Sequence, residues 1–194
     1  MRKILALLFL LVPLFYSAPA SAQAVLFDGL TNGEGDVTAL LAPAVITGDD
    51  YGLFARFDWG LRDRINLFGL GGARFNGGSH GLGGAGFSAN LVQQGSFPLN
   101  VGFFNSYIFP TGAGGPDAFI TLAPVFSRSF DRSTGGRVTP YGGFAATILA
   151  GPGGTDVNGV LGVKVTDIGS KWDFIAELQP GERNQFALGF VFKF

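Results

Sequence analysis

Residues 184–194 read NQFALGFVFKF, with Phe186, Leu188, Phe190, Phe192 and Phe194 at every second position and Gln185, Ala187, Gly189, Val191 and Lys193 between them. A period of two places the first set on one face of a β-strand and the second set on the other. The first face is almost wholly aromatic. Such a strand left bare in water is a template for aggregation, so the pattern proposes lipid as the solvent on that face.

Composition points the same way. Gly makes up 32 of 194 residues, aromatic residues are 14% and charged residues 14%, where soluble domains average about 25% charged. Disordered Gly-rich chains lack aromatic and aliphatic residues, whereas here Gly is interleaved with Phe, Leu and Val. Beyond residue 16 no apolar run reaches the ~18 residues of a spanning helix. A closed barrel is then the way to satisfy the backbone in lipid. With no cysteine, disulfides and thiolate metal sites are excluded. The nearly neutral charge balance, without a basic stripe, gives no reason to expect nucleic acid as a partner.

Gly, Pro, Asp and Ser clusters cut the chain into ten predicted strands: 37–47, 51–60, 65–75, 81–92, 97–109, 118–129, 138–149, 156–168, 171–178 and 184–194. Most match the ~9–11 residues that a tilted strand needs to cross a bilayer, and soluble strands average nearer ~5–6. In the second strand Tyr51, Leu53, Ala55, Phe57 and Trp59 oppose Gly52, Phe54, Arg56, Asp58 and Gly60. In the ninth, Trp172, Phe174, Ala176 and Leu178 oppose Lys171, Asp173, Ile175 and Glu177. The first and sixth strands alternate poorly, and the Gly-rich fourth is weak. Pro43, Pro98, Pro124 and Pro140 fall inside predicted strands, where bulges or shifted boundaries are expected.

The aromatic strand, with Phe190, Phe192 and Phe194, resembles the C-terminal strand of bacterial outer-membrane β-barrel proteins, whose terminal Phe is part of the signal read by the barrel-assembly machinery. Residues 51–70 (YGLFARFDWGLRDRINLFGL) resemble a hairpin common in such barrels, with a G-L-x-D-R turn. The resemblance is to the superfamily and to no single member. It implies an all-β, antiparallel, up-and-down transmembrane barrel of about ten strands, with eight or twelve as alternatives. It also implies outer-membrane lipids and the assembly machinery as partners, a Gram-negative cell envelope, and both chain termini on the periplasmic side. On that orientation turns 61–64, 93–96, 130–137 and 169–170 are periplasmic. Turns 48–50, 76–80, 110–117, 150–155 and 179–183 are external. Trp59, Phe97, Trp172 and Phe194 then form one aromatic girdle, and Tyr51, Tyr107, Phe109 and Phe186 the other.

The N-terminal sequence fits an exported protein. Arg2 and Lys3 precede an apolar run, residues 4–16, and Ala20-Ser21-Ala22 is an A-x-A cleavage site, so residues 1–22 read as a Sec signal peptide. The mature chain, from Gln23, carries 11 basic and 14 acidic side chains. Residues 23–36 (QAVLFDGLTNGEGD) read as a flexible periplasmic lead, with a plug or short strand built on Val25, Leu26 and Phe27 as the alternative. Residues 37–194 form the barrel domain.

No catalytic residue, metal site or cofactor is expected. His80, the only histidine, sits in NGGSHG at an external turn, and its neighbour Ser79 points to the opposite face of a strand. Gly81 to Gly86 spells G-x-G-x-x-G without the helix or acidic residue that a dinucleotide site requires. Asp49-Asp50 reads as a solvated turn. The inward charges carry more information. Arg56, Asp58 and Arg74 on one side of the closing seam, and Lys164, Asp173, Glu177 and Lys193 on the other, read as a salt-bridge network in a narrow lumen or as a charged constriction. The function expected is that of a porin-like integral outer-membrane barrel with a structural or narrow-channel role for small solutes or ions. The alternative is an outer-membrane enzyme acting on lipid or peptide. A soluble carrier would need polar outward faces, and the strands show the reverse.

Overall fold

The computed structural model describes residues 25–46, 50–75, 79–95, 97–111, 118–150, 154–169, 171–181 and 184–194. The segment read as a signal peptide and the residue Asp49 lie outside these residues, as do parts of the five turns read as external.

The strands are β1 (Val37–Ile46), β2 (Asp50–Arg62), β3 (Ile65–Phe75), β4 (Ser79–Val92), β5 (Asn100–Thr111), β6 (Phe119–Ser127), β7 (Phe130–Asp131), β8 (Arg137–Leu149), β9 (Thr155–Gly169), β10 (Trp172–Gln179) and β11 (Gln185–Lys193). The two-residue β7 pairs only with the start of β8 and extends a turn beyond the wall. The other ten form the barrel. Each pairs antiparallel with its neighbours, β6 with β8 across the β7 turn, and β1 with β11 to close the ring. Closure leaves no free edge. The fold is therefore the all-β, up-and-down ten-stranded barrel that the alternation led us to expect.

The closing seam also fixes which ends share a rim. The Phe194 N–H donates to the Val37 carbonyl (3.2 Å) and the Lys193 N–H to the Lys171 carbonyl (2.9 Å). The start of β1 and the end of β11 thus meet at one rim, called here the terminal rim.

The alternation sorts residues as the period predicts. Phe57 is 62% exposed and Leu161 56%, with Leu41, Val45, Leu53, Phe126, Phe186 and Phe190 on the same outer surface. Leu40, Phe54, Phe68, Phe104, Ile108, Val160 and Ile175 turn inward, together with buried Asn, Ser, Thr, Asp and Glu side chains. An apolar outside and a mixed inside invert the arrangement of a water-soluble barrel.

Several local expectations are corrected. β1 and β6 alternate cleanly in burial; the sequence hid this because Ala42, Ala44 and Ala123 are the inward residues. Pro43 and Pro124 sit where the β1–β11 and β6–β8 registers each skip two pairs, consistent with a residue that has no N–H to give. The fifth strand starts at Asn100, so Phe97 and Pro98 belong to a loop. That loop is closed by the Gln94 N–H donating to Asn100 Oδ1 (2.7 Å) and the Ser129 N–H donating to Gln94 Oε1 (2.8 Å). The Gly-rich fourth strand is continuous over fourteen residues.

Candidate functional site

The polar interior converges on a segment that enters the barrel from the terminal rim. Val25, Leu26, Phe27 and Asp28 are almost fully buried. This corrects the reading of residues 23–36 as a plain flexible lead. Residues 25–32 run inside the lumen, and the plug alternative describes their placement. The reason is energetic: three consecutive apolar side chains gain roughly 1.5–3 kcal/mol each on full burial, and the lumen supplies partners for their backbone.

Those partners form a clamp. The Glu177 carboxylate accepts the Val25 N–H at Oε1 and the Leu26 N–H at Oε2, both at 2.7 Å. Two successive N–H groups aimed at one anion make a backbone nest, and Leu26 has the left-handed φ of 44°. That conformation costs a non-glycine residue about 1–2 kcal/mol, and the two charge-assisted bonds offset it. On the carbonyl side, Arg56 donates Nη1–H to the Val25 oxygen (2.9 Å) and Nη2–H to the Leu26 oxygen (3.2 Å). Its Nε pairs with Asp58 at 2.9 Å. The guanidinium lies over the rings of Phe68 and Phe104, 5.2 and 5.6 Å from their centroids, and Phe27 adds a ring 6.2 Å from Phe104.

The neighbours of Glu177 are placed by the register. Tyr141 pairs with Gly162 across β8 and β9, and Gly162 pairs with Glu177 across β9 and β10. A Cβ at Gly162 would collide with the Tyr141 ring. The missing side chain lets the phenol lie across β9 and donate to Glu177 Oε2 at 2.9 Å. Gln179, two residues along the same face, donates to Oε1 at 2.9 Å. The carboxylate is 1% exposed and accepts four hydrogen bonds, which is what a charge at that depth requires.

Further along the segment, Asp28 pairs with Lys164 at 3.5 Å, and the Asn90 amide donates to the Gly29 carbonyl at 2.6 Å. Gly102 faces this turn, and a Cβ there would collide with Gly29 Cα and lie 2.8 Å from the Phe27 ring. The Asn32 N–H donates to Asn66 Oδ1 at 3.1 Å, and the Asn32 amide to Thr38 Oγ1 at 3.1 Å. A cavity of about 30 Å³ remains beside the segment, lined by Leu26, Asp28, Arg56, Asp58, Lys164 and neighbours. That is space for about one water molecule.

The seven inward charges are thus brought together only in part. Arg56 and Asp58 meet. Lys193 meets Asp173 at 2.8 Å, and also Asp167 at 3.2 Å. Lys164 turns to Asp28, and Glu177 to backbone donors, where the sequence reading had only other wall charges to offer. Arg74 is inward and buried, but it stands opposite Gly52, while Arg56 stands opposite Leu70. It therefore lies farther from the terminal rim than the Arg56–Asp58 pair. Tyr141, Gln179, Asn90 and Asp28 were not singled out from sequence. Only the apolar run 25–27 hinted at them.

At the terminal rim an open cleft of about 390 Å³ is lined by Asp131, Gly136, Arg137, Thr166, Asp167 and Lys193. Its charges are already matched, with Arg137 on Asp131 at 3.3 Å and Lys193 on Asp167.

The remaining sequence candidates are placed as follows. Tyr51, Trp59, Phe97, Tyr107, Phe109, Phe186, Phe190, Phe192 and Phe194 are exposed, and Trp172 is partly so. The Trp172 ring lies 6.1 Å from that of Phe190. Ser79 and His80 begin β4, two residues earlier than expected, with His80 in register with Arg74; their side chains lie outside the described residues. Gly81 to Gly86 lies wholly within β4. Among the described residues no three His, Asp or Glu side chains gather to hold a metal ion.

No protein-family model and no curated protein matches the sequence. Solved structures similar to the chain include a de novo designed transmembrane β-barrel, at 10% identity, covering 85% of this chain and all of that one, with a TM-score of 0.44. The N-terminal β-barrel domain of Pseudomonas aeruginosa OprF matches at 14% identity over 84% of this chain and all of that one, with a TM-score of 0.40. The Acinetobacter baumannii outer membrane protein Omp33 matches at 11% over 83% and 99%, with a TM-score of 0.41. The closed ring of ten strands turns an apolar surface outward and a mixed one inward, which makes this chain an all-β barrel built to face an apolar solvent.

Proposed function

We propose that this chain is an integral outer-membrane protein of the Gram-negative envelope that keeps its lumen closed with its own segment, residues 25–32. Its role is structural, or that of a narrow gated path for small solutes or ions. The observation that carries this reading is the clamp: Glu177 holds the N–H groups of Val25 and Leu26 while Arg56 holds their carbonyls. Such a segment occupies the space through which an open channel would conduct. The barrel is read as non-enzymatic, because its most deeply buried carboxylate is committed to donors of the chain itself. Export through a cleaved signal peptide, residues 1–22, and recognition of Phe190, Phe192 and Phe194 by the assembly machinery complete the reading, with outer-membrane lipids around the aromatic girdles.

Planar-bilayer recording of the refolded mature chain tests it. The unmodified protein gives at most small, brief openings, far below those of porins of about 16 strands. Arg56→Ala raises the conductance. A large steady pore in the unmodified protein, unchanged by this substitution, removes the closed-lumen reading. For assembly, deletion of Phe194 lowers outer-membrane levels much more than Lys193→Gln, and equal levels in cell fractions would remove the signal role.

A further inference from the structure

We propose that the lumen is a peptide-binding site, occupied in this chain by its own residues 25–32 and able to take a separate short peptide of the same kind. This rests on the closed-lumen reading and names what the site recognises. Four hydrogen bonds read peptide backbone, and all four fall on two consecutive residues: Glu177 takes two N–H groups and Arg56 gives to two carbonyls. The arrangement selects a chain turned so that adjacent N–H groups converge, as Leu26 is at φ 44°. It makes no hydrogen bond to the side chains of Val25 or Leu26, and it takes apolar residues there because they join the inward apolar cluster of Leu40, Phe68, Phe104 and Ile175.

Sequence selectivity enters downstream. Lys164 selects an acidic residue at the position of Asp28. The Asn90 amide reads the next carbonyl. That residue must be glycine, since Gly29 has φ 81° and an added Cβ would lie 3.3 Å from Ser127 Oγ. The ligand class is therefore a short peptide with two apolar residues, an aromatic residue and then Asp-Gly. The tether to β1 leaves the lumen through exposed residues 33–36, so the segment is attached to the wall at one end and held elsewhere by non-covalent contacts.

The test uses the whole mature chain, folded first and cut afterwards. A protease recognition sequence is inserted between Glu34 and Gly35, and the chain is refolded in detergent and nicked. A fluorescent, N-acetylated copy of residues 25–34 is then added. The expected result is saturable binding as the copy exchanges with the excised segment. Glu177→Gln in the barrel weakens it at least tenfold, and N-methylation at Leu26 of the peptide does the same, because each removes a clamp bond. Asp28→Asn in the peptide weakens it several-fold, and Val25→Ile changes it less than threefold.

The inference is overturned if the excised segment is lost and the copy fails to bind at about 1 mM, the effective concentration of a short tether. It is equally overturned if the N-methylated peptide binds as tightly as its parent. Conductance of the uncut chain separates the two readings. A closed uncut chain whose nicked form binds no peptide removes only the peptide site, whereas an openly conducting uncut chain removes both.

Discussion

Asp173 and Glu177 stand on the same inward face of β10, four residues apart, and the barrel satisfies them in opposite ways. Asp173, near the terminal rim, has a lysine: Lys193 at 2.8 Å, itself 41% exposed at the side chain, plus the Asp167 N–H at 3.0 Å. Glu177, deeper in the lumen, accepts two backbone N–H groups, a phenol and an amide. Two carboxylates on one strand face thus take their donors from different places, one from the rim and one from the segment inside the barrel. At the rim a long cation keeps its head partly in water, so its desolvation is cheap. Around Glu177 four neutral donors spread over both carboxylate oxygens do the work, while the lumen cations Arg56 and Lys164 pair with Asp58 and Asp28. Those donors are supplied partly by a segment about 150 residues away in sequence, which makes the deep carboxylate the point where barrel and segment depend on each other.

Removing the deep carboxylate should have the largest effect. Glu177→Ala strands the buried N–H groups of Val25 and Leu26 and the Tyr141 hydroxyl, and should cost about 3–5 kcal/mol. Urea unfolding followed by heat-modifiable gel mobility checks the stability, and bilayer recording should show openings that the unmodified chain lacks. A loss under 1 kcal/mol, with a closed lumen, would break the contrast between the two sites.

Next comes a test of the wall itself. Leu188→Arg puts a charge on the outer face of β11 and should cost about 2–4 kcal/mol in lipid vesicles. Ala187→Arg points inward and lies directly opposite Glu177 in the register. It should cost less, about 1–3 kcal/mol of overpacking, while drawing Glu177 away from the segment and raising conductance. The reverse order in refolding yields would mean that β11 has its faces exchanged.

The segment's own ion pair is partly buried and longer, so Asp28→Asn should cost about 1–2 kcal/mol and make residues 25–32 more accessible to protease. The rim pair should matter least. Lys193→Gln leaves Asp173 with the Asp167 N–H, and should cost about 1 kcal/mol or less, shrinking further in high salt. A rim effect equal to that of Glu177→Ala would show that depth is not what separates the two carboxylates.

The outer surface was legible because lipid imposes a one-dimensional rule. Every second residue of 184–194 had to be apolar, and Phe186, Leu188, Phe190 and Phe192 obey it; the same rule found the inward side of β2 with Phe54, Arg56 and Asp58. It failed where the informative residues are small: Ala42, Ala44 and Ala123 carry little hydropathy contrast, so β1 and β6 looked irregular. It failed again at Phe97, where a proline and two capping side chains delay the start of the strand to Asn100. Charge partners inside the lumen obey no such local rule. Lys164 could have met any inward carboxylate, and nothing in its neighbourhood names Asp28.

The amino-acid pattern alone specified a Gly- and Phe-rich chain of ten strands with an apolar and a mixed face, because period, strand length and the demand that every backbone group be paired are local constraints. The placement of residues 25–32 inside the barrel follows from the packed fold alone. That outcome depends on Gly162 and Gly102 leaving room at the right registers, and on Glu177, Arg56, Lys164 and Asn90 converging from four strands on one stretch of backbone. The clamp itself reads backbone N–H and C=O groups, which almost every residue carries, so it leaves no mark at Val25 and Leu26 beyond their apolar character.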